Sequence, residues 1–377
     1  MDRIIYPRTL LDDIKTWMFK GKVLIIYGPR QVGKTTLAKI LMSENQGALY
    51  LNCERPEVWE VLRSRNLERI MSYLGNTRMV VFDEAQKVPG IGELLKLLID
   101  TYPDTQYIAS GSSSFNLISD LSEPLTGRNI KFMLYPLSLR ELSHTFDPFS
   151  MDEKLPELLR FGSYPDIVNR SESEKIRLLG ELTSDYLFRD VLNFENIRKS
   201  DVLVSLLKAI ALQIGQEVSF REISGLLRLS VDTVQKYIQL LEKSFVIFSL
   251  SSFSRNLRKE IGTSRKYFFY DLGIRNSLIN NFNPPEMRAD TGQLWENYCI
   301  LERIRHNQAV GRNVNYYFWR TYDQKEIDLI EETGGMFTAF EIKWKSKKLK
   351  PVKDFLNAYP GSEFHLICKE NYREFLV

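Results

Sequence analysis

The chain has 377 residues, of which 44% are hydrophobic and 26% are charged, a composition that describes a soluble globular protein. The net charge is only +3, so the overall balance does not indicate a nucleic-acid-binding protein, and any basic surface must be local. The three cysteines and three histidines are scattered along the chain, which argues against both a disulfide framework and a zinc site.

The length of the chain suggests two or three domains, at roughly 150 residues per domain. No apolar run approaches the ~18 residues of a membrane span, and the first residues lack the apolar region of a signal peptide. The sequence therefore predicts a cytoplasmic protein without a membrane partner.

An apolar run at residues 23–27 is followed by a glycine-rich loop with the spacing G-x-x-x-x-G-K-T. The run predicts a buried strand, after which the loop points its backbone N–H groups at phosphate oxygens. Lys34 would reach the β- and γ-phosphates of ATP, and the Thr35 hydroxyl would hold Mg²⁺ where a helix begins. The predicted nucleotide-binding residues are Gly28, Pro29, Arg30, Gln31, Val32, Gly33, Lys34, Thr35 and Thr36. A chance glycine-rich turn is the alternative, but a loop between a strand and a helix favours a P-loop.

A second apolar run, at residues 79–82, ends in the acids Asp83 and Glu84. Alternating strands and helices predict a parallel sheet, and the buried run carries both acids to the edge of the sheet beside the P-loop. Asp83 would hold Mg²⁺ through water, and Glu84 would orient or deprotonate the water that attacks the γ-phosphate. The alternative is an ordinary strand that ends in two solvated acids.

Three more strands are predicted, at residues 48–52, 106–110 and 129–134, which makes five in all. With five strands in this order, residues 1–150 resemble the AAA+ division of P-loop ATPases. That resemblance makes Ser110 or Ser112 the candidate sensor of the γ-phosphate. It also makes Arg128 a candidate arginine finger, which would act on a neighbouring subunit of a homo-oligomer. An ordinary surface arginine remains the alternative for Arg128.

Short motifs along the chain are similar to those of predicted AAA+ ATPases of bacteria and archaea that carry a C-terminal domain of unknown function. The motifs are residues 28–35, 82–86, 110–114, 126–128, 136–138, 162–165, 270–273 and 295–297. The resemblance covers nearly the whole chain. It implies an ATPase, in a family that is defined by sequence more than by a settled activity.

The middle of the chain is predicted to be helical. Residues 151–218 show amphipathic patterns that favour a connector or lid. In residues 219–280, the capping box Ser219-x-x-Glu222 and the cap Ser230 open two short helices with a tight turn between them, which indicates a helix-turn-helix. Two strands and the basic loop between them would complete a winged version. That loop could contact DNA phosphates, or the winged helix could be a structural joint between domains.

A linker is predicted at residues 280–285, followed by a C-terminal domain at residues 288–377. Its helix contains Glu296, and its central hairpin gathers acids on one face because alternate residues of a strand share a face. The side chains so gathered are Glu326, Asp328, Glu341 and Lys343.

The pattern of Asp328, twelve residues, and then Glu341-Ile-Lys343 resembles the PD-(D/E)XK nuclease core, with Glu296 matching the acid on the preceding helix. Carboxylates suit Mg²⁺ or Mn²⁺, so Glu296, Asp328 and Glu341 are the predicted metal ligands. A restriction-endonuclease-like α/β domain that binds the DNA backbone is therefore expected. Both metal-dependent phosphodiester cleavage and an inactive domain that grips DNA or a protein partner stay open. The predicted catalytic residues of the chain are Lys34, Glu84, Arg128, Asp328, Glu341 and Lys343.

Overall fold

The computed structural model describes residues 4–111, 123–186, 200–253, 264–321, 325–345 and 351–377. These residues form two compact units. The N-terminal unit consists of Pro7–Pro136 with Lys243–Phe245, and the C-terminal unit consists of Leu137–Glu242 and Val246–Val377 with the described residues before Pro7. None of the helices in the described ranges combines the length and apolar character that a bilayer crossing requires.

The N-terminal unit alternates helices and strands. Its elements are α1 (Leu10–Trp17), β1 (Val23–Tyr27), α2 (Lys34–Ser43), β2 (Ala48–Asn52), α3 (Pro56–Arg63), α4 (Leu67–Leu74), β3 (Met79–Asp83), α5 (Ile91–Thr101), β4 (Gln106–Gly111) and β5 (Asn129–Met133). The strands form one sheet in the order β2-β3-β4-β1-β5, and every pair is parallel. The parallel sheet predicted from the sequence is thus confirmed.

Burial explains which strands occupy the middle of this sheet. Every residue of β3 and β4 is buried, whereas the edge strands β2 and β5 each contain only one buried residue. A parallel strand covered on both faces needs a continuous apolar run, and Met79–Phe82 supplies one. Asp83 follows this run and is itself only 5% exposed, so its carboxylate lies at the end of a buried central strand.

The C-terminal unit combines helices with a mixed sheet. Its elements are α6 (Leu139–Ser143), α7 (Pro148–Phe161), α8 (Glu172–Tyr186), α9 (Ser200–Leu212), α10 (Phe220–Leu227), α11 (Val231–Lys243), β6 (Ile247–Ser252), β7 (Arg265–Phe269), α12 (Leu272–Leu278), α13 (Thr291–Ala309), β8 (Asn315–Arg320), β9 (Glu326–Thr333), β10 (Met336–Ile342), α14 (Lys353–Ala358), β11 (Glu363–Ile367) and α15 (Tyr372–Leu376). Six strands form the sheet in the order β11-β10-β9-β8-β6-β7.

The predicted wing hairpin does not stand apart from the C-terminal strands. The strands β6 and β7 pair with each other in antiparallel fashion, but β6 also pairs with β8 in parallel. An unpaired strand edge leaves backbone N–H and C=O groups without partners, and β8 supplies those partners here. The predicted boundary between residues 219–280 and residues 288–377 therefore does not separate two compact units. The basic residues Arg255, Arg258 and Lys259 of the predicted wing lie outside the described residues.

The predicted linker at residues 280–285 is held inside the C-terminal unit by an ion cluster. Asp290 accepts from Arg275 at 2.5 Å and from Arg288 at 2.8 Å, and Arg288 also donates to the carbonyl oxygen of Asn281 at 2.5 Å. Burial disfavours the charge of Asp290, but the two guanidinium groups outweigh it and lower the pKa of Asp290 to about 2. The linker is thus tied to α12 and α13.

Three motifs that are distant in sequence meet in a buried network of the same unit. They are residues 162–165, 270–273 and 295–297. Asp271 accepts hydrogen bonds from the backbone N–H groups of Ser163 at 2.8 Å and Ile274 at 3.1 Å, and it thereby caps α12. Gly162 has a φ of 70°, and a Cβ atom there would lie 2.0 Å from Asp271 Oδ1. On α13, the Asn297 side chain bonds to both backbone groups of Phe269. Burial raises the pKa of Asp271 to about 6, although these backbone donors favour the carboxylate.

Candidate functional site

The glycine-rich loop leaves β1 at a position that only glycine can occupy. Gly28 has a φ of 146°, and a Cβ atom there would lie 2.1 Å from the carbonyl oxygen of Leu134. Gly33, at the other end of the loop, has a φ of 102° and precedes the first residue of α2. The loop therefore ends at a helix N-terminus, where the backbone N–H groups favour an anion.

Lys34 lies folded over this loop. Its side chain is buried, and Nζ donates to the carbonyl oxygens of Gly28 at 3.0 Å and Pro29 at 2.6 Å. A bound phosphate would offer the same ammonium group stronger, charged acceptors. The other predicted loop residues surround this position, with Gln31 at a positive φ of 58°, Val32 buried and Thr36 exposed.

Three hydroxyl groups meet on the carboxylate of Asp83. Thr35 Oγ1 donates to Oδ2 at 2.8 Å, Tyr50 OH donates to Oδ2 at 2.5 Å, and Ser110 donates to Oδ1. The structure thus brings together the predicted residues Thr35, Asp83 and Ser110, whereas Ser112 lies outside the described residues. Their oxygen atoms are ligands that Mg²⁺ prefers, so the donor set fits this ion.

Tyr50 was not expected at this site. It lies on β2, next to β3, where Tyr50 is opposite Val81 and Asn52 is opposite Asp83. Burial, followed by the hydrogen bond to Asp83, raises the pKa of Tyr50 above its ordinary value, so the hydroxyl is a donor at neutral pH. The only signal in the sequence is a tyrosine within a short predicted strand.

Glu84 follows Asp83 in an uncommon backbone conformation. Its φ is 54°, in the left-handed region that residues other than glycine seldom adopt. Gln86 Nε2 donates to Glu84 Oε2 at 2.5 Å and so orients the carboxylate. The motif of residues 82–86 therefore has a structural explanation in which Gln86 holds the side chain of Glu84.

Two arginines have different relations to this site. Arg8, which no pattern in the sequence predicts, donates to the carbonyl oxygens of Val32 at 2.6 Å and Tyr135 at 2.5 Å, and so joins the loop to the segment after β5. Arg128, the predicted finger, donates from Nε to Asp100 Oδ1 at 2.6 Å on the surface of its own chain. This hydrogen bond lowers the pKa of Asp100, so the two side chains form an ion pair.

The predicted cluster of the C-terminal unit is centred on Lys343, directly after β10. Lys343 Nζ lies 3.2 Å from Asp328 Oδ2 and 2.9 Å from Glu341 Oε1. Asp328 Oδ2 also accepts from the backbone N–H of Ile342 at 2.7 Å. Burial disfavours the charge of Lys343, but Asp328 and Glu341 outweigh it and raise its pKa, so Lys343 is an ammonium ion at neutral pH.

A second lysine, which was not expected, lies among the same acids. Lys266 Nζ on β7 is 3.1 Å from Glu296 Oε1 on α13, and it also forms an ion pair with Glu326 on β9. The Lys266 side chain is only 3% exposed. Burial, followed by the charge of Asp328, raises the pKa of Glu296 to about 8, although Lys266 opposes this rise.

The prediction of a metal site at Glu296, Asp328 and Glu341 does not fit this arrangement. Within the described ranges, no group of three or more His, Cys, Asp or Glu side chains is placed to hold a metal ion. The physical reason is that the acids are already paired with lysines: Glu296 with Lys266, and Asp328 and Glu341 with Lys343. The alternation of strand residues predicted the shared face but not the cations that occupy it.

Comparison with known families divides the chain into three segments. Residues 20–143 match the family described as an AAA domain. Residues 152–285 and 291–375 match two families that are each described as a domain of unknown function, DUF8612 and DUF4143.

Related proteins cover most of the chain. An uncharacterized protein of Haemophilus influenzae is 24% identical over 377 residues, which covers 94% of this chain and 88% of the relative. One of Mycobacterium tuberculosis is 26% identical over 343 residues, which covers 90% and 74%. A solved structure of a Walker-type ATPase of Pyrococcus abyssi shares the fold with a TM-score of 0.53 and 17% identity, over 73% of this chain and 96% of its own. The chain thus contains a segment that is similar to an AAA domain, and it shares the fold of a Walker-type ATPase.

Proposed function

We propose that the N-terminal unit binds ATP with Mg²⁺ and hydrolyses it. The observation that supports this proposal most strongly is the contact between Thr35 and Asp83. It joins the first turn after the phosphate-binding loop to the acid at the end of β3. Charge on the transferred phosphoryl group is stabilised by groups positioned in this way.

The proposal gives each of the main residues of the site a defined task. Lys34 exchanges the carbonyl oxygens of Gly28 and Pro29 for the β- and γ-phosphates, and the N–H groups before α2 bind the remaining phosphate oxygens. Thr35 and Asp83 would hold Mg²⁺, which neutralises charge on the phosphates when it is bound. Ser110 and Tyr50 keep the Asp83 carboxylate in place.

Glu84 orients the attacking water or accepts its proton. The Glu84→Gln variant should therefore still bind ATP but hydrolyse it about a hundredfold or more slowly, because an amide cannot accept that proton. Phosphate release under saturating ATP would measure turnover, and equilibrium binding of a fluorescent ATP analogue would measure affinity.

The matched control for this variant is Glu57→Gln, at an exposed position of α3 in the same unit. It should leave both turnover and affinity unchanged. Normal phosphate release by Glu84→Gln would show that Glu84 is not the residue that handles the water.

Arg128 acts in trans in the assembly that we propose, a homo-oligomer in which it reaches the ATP of a neighbouring subunit. To do so, it has to leave Asp100, its partner within the chain. Both side chains of this pair are at least 40% exposed, so the ion pair is weak enough to exchange. The pair would thus hold the arginine on the surface until a neighbour binds.

A second candidate function, cleavage of the DNA backbone, is favoured by the order of elements in the C-terminal unit. One helix (α13), three strands (β8 to β10), a helix (α14) and a final parallel strand (β11) follow one another. Glu296 lies on this helix, Asp328 on the second strand, and Glu341 and Lys343 at the end of the third. This is the arrangement that a PD-(D/E)XK nuclease-like domain would require. The lysine-paired acids instead favour a domain that grips DNA or a protein partner without cleaving it.

Plasmid nicking separates the two candidates. A nuclease should nick supercoiled plasmid in Mg²⁺ or Mn²⁺, and Lys343→Ala should lower this rate at least about a hundredfold because the developing phosphate charge loses its cation. The assay is run with and without ATP, with Lys353→Ala, an exposed lysine on α14, as the control. Equal nicking by wild type and Lys343→Ala, or none by either, would leave the gripping domain as the function.

A further inference from the structure

Lys266 links parts of the C-terminal unit that are distant in sequence. It comes from the edge strand β7, Glu296 comes from α13, and Glu326 begins β9. Its ammonium group bonds to both carboxylates at ion-pair distance, and almost none of its side chain is exposed. A buried ammonium is retained only when acids pair with it, so this contact is a fixed part of the fold.

Lys266 and Lys343 divide the acids between them. Lys266 holds Glu296 and Glu326, while Lys343 holds Asp328 and Glu341. Arg320 Nε is a more distant neighbour, 3.8 Å from Glu326 Oε2. Four carboxyl groups thus share two ammonium ions, with one guanidinium group near Glu326.

The two lysines differ in how readily their side chains could move away from the acids. The Lys343 side chain is 37% exposed and lies just beyond the end of β10, so it can turn towards solvent. Lys266 is enclosed within β7, where its backbone is paired with Leu250 of β6. Lys266 therefore cannot move away from its acids unless the sheet also changes.

We propose that Lys266 is a built-in counter-ion that excludes divalent metal from Glu296 and so sets the metal affinity of the whole cluster. An ammonium ion at bonding distance from a carboxylate occupies the position that a metal would need, and it repels a second cation. The inference uses the acids of the nuclease-like arrangement proposed above, but it concerns metal binding and not cleavage. It explains why acids at the expected positions do not form a metal site.

The test is Mn²⁺ binding to the full-length protein without nucleotide, measured by calorimetry or by the electron paramagnetic resonance signal of free Mn²⁺. Lys266→Met keeps the length of the side chain and removes its charge. We expect this variant to bind Mn²⁺ at least tenfold more tightly than wild type, and we expect a second substitution, Glu296→Gln, to cancel the gain. Lys175→Met is the matched control, because Lys175 is equally buried and pairs with Glu157 at 2.7 Å elsewhere in the unit.

Equal Mn²⁺ affinity of Lys266→Met and wild type would overturn the proposal, as would a similar gain in Lys175→Met. Should Lys266→Met not fold, the double variant Lys266→Met/Glu326→Gln removes one acid with the cation and is held to the same tenfold gain. Wild type supplies an independent test, since micromolar Mn²⁺ binding that Glu296→Gln abolishes would show that Lys266 does not exclude the metal. Because no DNA is present, failure of the nicking assay does not bear on this result.

Discussion

Replacement of Lys34 by alanine is expected to lower ATP hydrolysis about a thousandfold, the upper end of what one preorganised charged donor contributes. The ammonium group is buried against the loop carbonyl oxygens of Gly28 and Pro29, within the segment that would hold the phosphates. Alanine removes the charge and leaves these carbonyl groups facing the phosphates without a cation. Affinity for ATP should therefore fall together with turnover.

Lys131→Ala is the appropriate control, since Lys131 is an exposed lysine on β5 of the same sheet. Phosphate release and ATP binding are measured for both variants, and the control should match wild type. Retention of tight ATP binding and of hydrolysis by Lys34→Ala would exclude the loop as the nucleotide site.

The same variant also tests whether Arg128 acts in trans. A subunit with Lys34→Ala keeps Arg128, and a subunit with Arg128→Ala keeps Lys34. Mixing two inactive proteins should therefore restore part of the activity, because some interfaces then combine an intact loop with an intact arginine. A mixture that is no more active than the two separate proteins would contradict the role of Arg128 as an arginine finger.

The second large effect concerns stability and the buried carboxyl group of Asp271. Its pKa in the folded protein, about 6, lies above the ordinary value of 3.8, so the folded state holds a proton that the unfolded state has lost. The resulting stabilisation is fully present below about pH 4 and is lost as pH rises through about 6. Ionisation of Asp271 should therefore lower the free energy of unfolding by about 3 kcal/mol as the pH rises between these limits.

Urea unfolding of wild type and Asp271→Asn at pH 4.5 and pH 7 measures this cost. Asparagine cannot ionise, so the stability advantage of wild type over the variant should shrink as the pH rises. Glu153→Gln, on an exposed position of α7, should not change the pH dependence. If wild type and Asp271→Asn lose stability in parallel over this range, another group is responsible.

The residues of the proposed nucleotide site can be grouped from the sequence because most of them are close together along the chain. Residues 28–35 form one loop, and Asp83 and Glu84 are adjacent at the end of a fully buried strand. The apolar run places these acids at the edge of the sheet, and the strand order then brings them to the loop. The relations that had to be inferred are those that bring the loop after β1, the end of β3 and the end of β4 to one edge of the sheet.

Residues that act across long distances in sequence could not be predicted in the same way. Tyr50, Arg8 and Lys266 carry no local pattern, and each reaches its partner only after the strands have paired. The pairing of β6 with β8 could not be predicted for the same reason. The two strands are more than 60 residues apart, and the hydrophobic period of a strand does not indicate which other strand it pairs with. The types of the helices and strands were therefore easier to predict than the pairing between distant strands.

The shared sheet has a consequence for how this chain can change during evolution. Recombination between the hairpin of β6 and β7 and the strands that follow residue 288 would strip the β8 edge of its partner, and it would also separate Lys266 from Glu296. Exposed strand edges promote aggregation, and an unpaired buried charge destabilises the fold. The segment that contains β6 and β7 and the residues after 288 are therefore expected to be inherited together.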